Sequence, residues 1–403
     1  MNILFIHRNF PAQFKYLAQE LAKDLRNNVV FVTNNTKTNA SGRIKKVVYK
    51  LKRKVPDDCH RYLRFYEESI IHGQAAAEAI IQLRTQGFVP DVIYGHSWGS
   101  SLFVKDIYPD VPYIADIEWY YNPTNSDVDF GGKTPDINDR ARLSCKNAHI
   151  LQDLVRCDYG ITPTYWQREQ IPKIFHEKIK VIHEGINTDI CKPDNKAKFK
   201  IANSKITLTN KDEVLTYATR GMEEYRGFPE FMKAASAVMK QRPNLQVVVA
   251  GEDRVCYGKF LKDDTWKTKM LRELEFDESR IHFVGSLPYQ EYIKLLQISS
   301  AHVYLTYPFV LSWSMLEAMA IGCCIIGSNT APVTEVIKDG YNGILTDFYD
   351  IDGMVEKINK VLDNPEEYEQ IRQNARETVV KNYNLKDLLK EQINFLRNAA
   401  KGK

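Results

Sequence analysis

The sequence predicts an α/β chain built as two doubly wound domains, each a parallel sheet flanked by helices. Three observations carry this. Short apolar runs alternate with helical-length segments from end to end, the pattern of parallel strands joined by crossover helices. At 403 residues the chain is too long for one ordinary core and suits two of about 200 residues each. A polar stretch, residues 187–212, interrupts the alternation near the middle. We therefore place a first domain over residues 1–190, a linker over 191–212, a second domain over 213–380 and a terminal helix over 381–403.

In the first half the strand candidates are Ile3–His7, Val29–Thr33, Val92–Tyr94, Tyr113–Ile117, Tyr159–Thr162 and Lys180–His183. In the second half they are Val214–Ala218, Gln246–Ala250, Ile281–Val284, Val303–Tyr307, Cys323–Ile326 and Gly343–Leu345. All are short, apolar and rich in Val, Ile, Tyr and Phe, which suits strands buried on both faces. Leu385 to Phe395 has helical apolar spacing. Repeats and low-complexity tracts are absent.

Composition excludes several classes. Hydrophobic residues at 44% beside 26% charged ones describe a soluble globular protein, and a net charge of +4 is too small to argue for nucleic acid. No apolar run reaches the roughly 18 residues of a membrane span, and the N-terminus enters a strand directly, without signal-peptide architecture. The seven cysteines include no C-x-x-C pair, so neither a disulfide framework nor a zinc site is indicated, and a reducing cytoplasm fits best. The loop after the first strand, Asn9 to Phe14, lacks the glycines of a dinucleotide fingerprint. Asp127-Val128-Asp129 has the form of a metal-binding D-x-D, but no apolar strand precedes it, and a solvated loop is expected.

The most informative stretch runs from Val303 to Gly343. A strand breaks at Pro308, a short apolar helix starts near Ser312-Trp313-Ser314 and stops at Gly322, and a second buried strand follows. A helix start just beyond a parallel strand's carboxyl end is an anion site, with unpaired N–H groups and a favourable dipole. Glu317, one turn inside, is placed to accept hydrogen bonds from sugar hydroxyls, although Ser314-x-x-Glu317 also reads as a capping box. Phosphate and polyol together suggest a nucleotide-sugar. Arg220 and Arg226 flank a turn after Val214–Ala218, where fixed, always-charged guanidiniums suit a diphosphate.

This segment closely resembles the donor-binding signature of retaining GT-B glycosyltransferases, glycosyltransferase family 4 in particular. VIHEGINTDICKP (residues 181–193) is similar to the family's domain-closing motif, and TRGMEEYRGFPEFMKA (residues 219–234) to its phosphate-contacting loop. MNILFIHRNFPAQFKYLAQELA resembles the opening of a bacterial subgroup. The resemblance covers nearly the whole chain. It implies two Rossmann-like domains facing a central cleft, with a C-terminal helix returning to the first. It assigns donor diphosphate contacts to Arg220, Arg226 and the segment Leu311, Ser312, Trp313 and Ser314, and the ribose to Glu317. One departure stands out. The family places a Glu eight residues before the ribose-binding one, against the transferred sugar; here that place holds Phe309, followed by Val310, and a phenyl ring accepts no hydroxyl hydrogen bonds.

In the first domain the resemblance puts a catalytic His near position 118, where this chain has Glu118. Asp116 and His96, at neighbouring strand ends, complete the catalytic candidates. Lys45, Lys46, Lys50, Lys52, Arg53 and Lys54 form a basic run, read either as a solvated face or as contact with anionic lipid headgroups. The resulting expectation is a hexosyltransferase-type enzyme (class 2.4) that moves a sugar from a UDP- or GDP-sugar to a glycan, lipid-linked or protein hydroxyl, with retention and without metal or other cofactor. Surface polysaccharide, lipopolysaccharide or other glycoconjugate synthesis, in the cytoplasm or on the inner face of the membrane, would be its setting. Phe309 keeps two rivals open: a non-catalytic nucleotide-sugar-binding subunit, and a GT-B epimerase.

Overall fold

A computed structural model describes residues 1–202 and 204–402. The chain forms two compact units, Met1–Gly185 together with Lys386–Lys403, and Ile186–Leu385.

In the first unit β1 (Asn2–Ile6), β2 (Asn28–Thr33), β3 (Ile44–Val48), β4 (Val92–His96), β5 (Tyr113–Asp116), β6 (Tyr159–Thr162) and β7 (Ile179–Val181) make one sheet of order β3-β2-β1-β4-β5-β6-β7. Every pairing is parallel. Alternation along β1 fills two cores, since successive side chains leave opposite faces. Ile3 and Phe5 pack with Phe14, Leu17 and Leu21, while Leu4 and Ile6 pack with Ala76, Ile80 and Leu83 of the helix Arg64–Thr85. The helix Leu385–Ala400 lays Leu396 and Ala399 into the Ile3 and Phe5 core, so the last helix belongs to the first unit.

In the second unit β8 (Lys198–Lys200) and β9 (Thr207–Thr209) form an antiparallel pair. Then β10 (Val214–Gly221), β11 (Gln246–Glu252), β12 (Ile281–Gly285), β13 (Ala301–Tyr304), β14 (Ile325–Ser328) and β15 (Ile344–Thr346) make a parallel sheet of order β12-β11-β10-β13-β14-β15.

Several expectations need correction. Residues 191–212 are not a bare linker: they carry the β8–β9 hairpin, whose Phe199 and Leu208 are buried against Val214 and Val248. The division between units falls after Gly185, so the stretch to residue 190 belongs to the second. The strand β3 was not foreseen, because its Ile44-Lys45-Lys46-Val47-Val48 reads as part of the basic run. The strand expected to end at Tyr307 leaves the sheet after Tyr304, since Thr306 N–H donates to Ser328 Oγ and Tyr307 N–H to the Tyr225 carbonyl. The strand expected from Cys323 starts at Ile325. Cys323 N–H instead closes the preceding helix onto the Ala318 carbonyl, over Gly322 at φ +84°, a left-handed cap that favours glycine.

Candidate functional site

In an open parallel sheet, ligands gather beyond the strand carboxyl ends where the strand order reverses. The second unit reverses between β10 and β13. Arg220 is exposed there and lines two adjoining cavities, of about 100 and 460 Å³. Arg226 lines the smaller one and is only 8% exposed. Its Nη1 donates to Thr306 Oγ1 at 2.7 Å and to the Val310 carbonyl at 3.1 Å. One nitrogen of the guanidinium is thus held by the protein, and the group stays charged at any working pH.

The helix Trp313–Ile321 starts at the rim of both cavities. Its N-cap is Ser312, whose side chain accepts from Ser314 N–H at 3.3 Å. The capping-box pairing of Ser314 with Glu317 is therefore not formed: the cap lies two residues earlier, and Glu317 sits beyond the third helical position. Glu317 Oε1 instead accepts from Tyr289 hydroxyl at 2.7 Å, and burial raises its pKa above the ordinary carboxylate value. Glu317, Ser312, Trp313, Ser314 and Arg220 line the larger cavity together. The amide of Ser312 is engaged by Tyr304 hydroxyl at 2.9 Å. Leu311 is buried in the hydrophobic core, and Val310 contributes its carbonyl to Arg226.

Phe309 is 8% exposed, packed edge-on to Tyr225 at 5.6 Å and against Tyr257 at 5.1 Å. Its ring belongs to an aromatic cluster that continues through Tyr307, Phe348 and Tyr349. The sequence reading also missed Arg254, which lines the large cavity and pairs with Glu252 at 2.7 Å, and Tyr289, the partner of Glu317. Arg254 was legible as a cation just past a strand end; Tyr289 was not, being 28 residues away in sequence.

The first unit reverses between β1 and β4. The β4–β5 register sets His96 beside Asp116. His96 Nε2 lies 3.5 Å from Glu118 Oε2, so these three candidates do come together. The sequence reading omitted two neighbours. His7, just past β1, packs against His96 with ring centroids 4.4 Å apart and the planes tilted by 53°, and Gln13 reaches both imidazoles at 3.1 and 3.4 Å. Burial first, then the field of Arg8, pulls the pKa of His96 down to about 3. Burial, with Glu184 and Glu118 nearby, pushes the Asp116 carboxyl well above the ordinary range. At neutral pH this pocket therefore offers neutral imidazoles and a carboxyl that resists ionising. His96 can hydrogen bond there, but a group of that pKa makes a poor proton shuttle near pH 7.

Elsewhere, Asp129 accepts from Asn125 and Ser126 amides and Asp127 is 5% exposed, so the D-x-D is a folded turn and not the solvated loop expected. Half of the basic run is engaged within the chain. Lys46 donates to the Thr38 carbonyl, Lys52 pairs with Glu78 at 2.7 Å, and Arg53 with Glu67 at 3.2 Å. Among the described residues no helix is long and apolar enough to cross a membrane.

Comparisons with known proteins find relatives of both halves of the chain. Residues 25–191 match the glycosyl transferase family 4 group, and residues 199–378 match glycosyl transferases group 1. A glycogen synthase of Mycobacterium tuberculosis is 24% identical over 323 residues, covering 77% of this chain and 70% of that protein. An uncharacterized glycosyltransferase of Methanocaldococcus jannaschii is 30% identical over 112 residues, 28% of this chain and 29% of its own length. Among solved structures, sucrose-phosphate synthase from Thermosynechococcus elongatus superposes with a TM-score of 0.75 at 16% identity, covering 100% of both chains. Anabaena HepE in complex with UDP-glucose gives 0.71 at 13% identity, over 99% of this chain and 100% of that one. With both halves matched in order and the fold shared along its length, the chain belongs to the group 1 glycosyltransferases and is a glycosyltransferase of the GT-B fold.

Proposed function

We propose that the protein transfers a sugar from a nucleoside diphosphate donor to a hydroxyl acceptor, with retention at the anomeric carbon. The observation that carries this is the 460 Å³ cavity of the second unit, where Arg220, the helix start at Ser312–Ser314 and the half-buried Glu317 converge. Arg220, Arg226 and that helix start would neutralise the charge gathering on the leaving diphosphate, as an oxyanion hole does. Glu317 would accept from the ribose. UDP and GDP sugars are both candidate donors; the HepE structure, of like fold, is a complex with UDP-glucose. No metal is assigned a part, because the arginines supply the positive charge.

In the first unit Glu118 and Asp116 are the groups we assign to the transferred sugar and the acceptor, with His96 as a neutral hydrogen-bonding partner. The acceptor is a glycan, lipid-linked or protein hydroxyl, in the synthesis of a surface polysaccharide or similar glycoconjugate. Lys45, Lys50 and Lys54 remain the residues available to an anionic membrane surface. The sequestered Phe309 favours a second reading, a donor-binding subunit without transferase activity. A thermal-shift screen of UDP, GDP, ADP and their sugars, followed by donor-turnover assays on a broad acceptor panel, tests both. Stabilisation by one diphosphate with turnover supports the enzyme; tight donor binding with no hydrolysis or transfer supports the subunit; no stabilisation by any removes the donor assignment.

A further inference from the structure

The side chain of Glu223 fastens the loop after β11 to the loop after β10. Glu223 is fully buried, and its Oε2 accepts from the backbone amides of Tyr257 at 2.9 Å and Gly258 at 2.7 Å. Its own carbonyl accepts from Arg226 and Phe228 amides, so one residue ties both segments. The two loops touch where side chains are missing. A Cβ on Gly221 would come within 2.6 Å of the Arg254 carbonyl oxygen, and one on Gly258 within 3.3 Å of Glu223 Oε2. Glu223 forms no ion pair with Arg226 among the described residues, and its Oε1 is buried without a hydrogen-bond partner. A buried carboxylate is costly unless its bonds do something in return. What the two amide bonds do is set Tyr257. Its ring lies 5.2 Å from Arg226 Cζ and 5.1 Å from the Phe309 ring, which is itself 6.0 Å from the same guanidinium carbon.

We propose that Glu223 is a positioning residue: it holds the loop after β11 so that Tyr257 and Phe309 clamp the guanidinium of Arg226 for a diphosphate. On this view Phe309 is not a failed sugar contact but one wall of an arginine clamp. The inference rests on reading the second-unit cavity as a nucleoside diphosphate site. A guanidinium already held at one nitrogen by Thr306 and Val310, and flanked by aromatic rings, loses little freedom when phosphate arrives.

The test uses full-length protein, calorimetric titration with UDP, GDP and ADP and the matching nucleosides, and amide hydrogen exchange. Tyr257→Ala removes a cation–π partner and should weaken the bound diphosphate about tenfold while leaving its nucleoside unchanged. Tyr257→Phe should retain most of the affinity. Glu223→Ala should speed exchange at the Tyr257 and Gly258 amides and reproduce the diphosphate-selective loss, with Glu223→Gln restoring most of it. Undiminished diphosphate binding in Tyr257→Ala overturns the proposal, as does an equal loss of nucleoside and diphosphate in Glu223→Ala. If Glu223→Ala does not fold, the two Tyr257 variants decide alone. Failure of the wild type to bind any of the three diphosphates would instead reject the donor site itself.

Discussion

The two sheet reversals occupy the same place in the same strand order, β3-β2-β1-β4-β5-β6 and β12-β11-β10-β13-β14-β15, yet they carry opposite chemistry. At β10 and β13 the chain presents the permanent cations Arg220 and Arg226, the second of them held by Thr306 and Val310, and a helix start. At β1 and β4 it presents imidazoles kept neutral by burial and a carboxyl that burial makes harder to ionise. Topology decides where a ligand is met; the few side chains past each strand end decide which charge is welcome. On the proposed reading the first pocket takes uncharged hydroxyls and the second a diphosphate.

The largest effect should come from the first pocket. Glu118→Gln should lower turnover about 100-fold, the low end for a group acting on a proton or charge in the transition state, with donor affinity unchanged. Activity that survives changes at Glu118, Asp116 and His96 alike would leave the first pocket without a chemical role. The second pocket should answer in affinity. Arg226→Ala should weaken nucleoside diphosphate binding at least tenfold, since a charge-assisted hydrogen bond is worth roughly 1.5–3 kcal/mol, while nucleoside binding holds. Glu317→Gln should lower nucleotide affinity with a near-wild-type melting temperature; a large loss of stability with unchanged affinity would make its bond to Tyr289 structural.

Acid should weaken the first unit and, through His302, whose pKa burial lowers to about 4, the second as well. His72, His96 and His149 have folded pKa values of about 4, 3 and 3 against an unfolded 6.5. The unfolded chain then binds protons that the folded unit refuses, so their contribution is present above pH 6.5 and lost as pH falls toward 4. Asp153 opposes them. Burial raises its pKa to about 7, so its contribution is greatest in acid and declines as pH rises from the unfolded carboxylate value through 7. Relative to wild type, Asp153→Asn should therefore gain stability between pH 5 and pH 8 in urea melts. A flat difference would mean the carboxyl is ionised in the fold. The smallest effect belongs to the basic run. Replacing Lys45, Lys50 and Lys54 by Glu should reduce binding to phosphatidylserine vesicles in a salt-dependent way and leave donor affinity alone; indifference to lipid charge would make the run a solvated face.

The fold was legible because parallel strands buried on both faces are continuous apolar runs, and 12 of the 15 strands among the described residues overlap their expected ranges. What escaped was the edge. In β3 only Ile44 is fully buried and Lys45 is exposed, and the β8–β9 pair buries just one large side chain per strand, so neither resembles a core strand. In the site, residues at strand ends were readable from position. The contacts of Phe309 and Glu223 were not, because they depend on loops 30 to 80 residues apart meeting at glycines.

The helix Leu385–Ala400 has a consequence for how the protein is made. It completes a core begun by Ile3 and Phe5, but 200 residues of the other unit are threaded between them and it. At about 5–20 residues per second, a ribosome needs roughly 10–40 s to traverse that stretch. For that interval the nascent first sheet lacks the cover that Leu396 and Ala399 provide. The surface left bare is apolar, and a chaperone that binds nascent apolar strands should find its longest-lived target there.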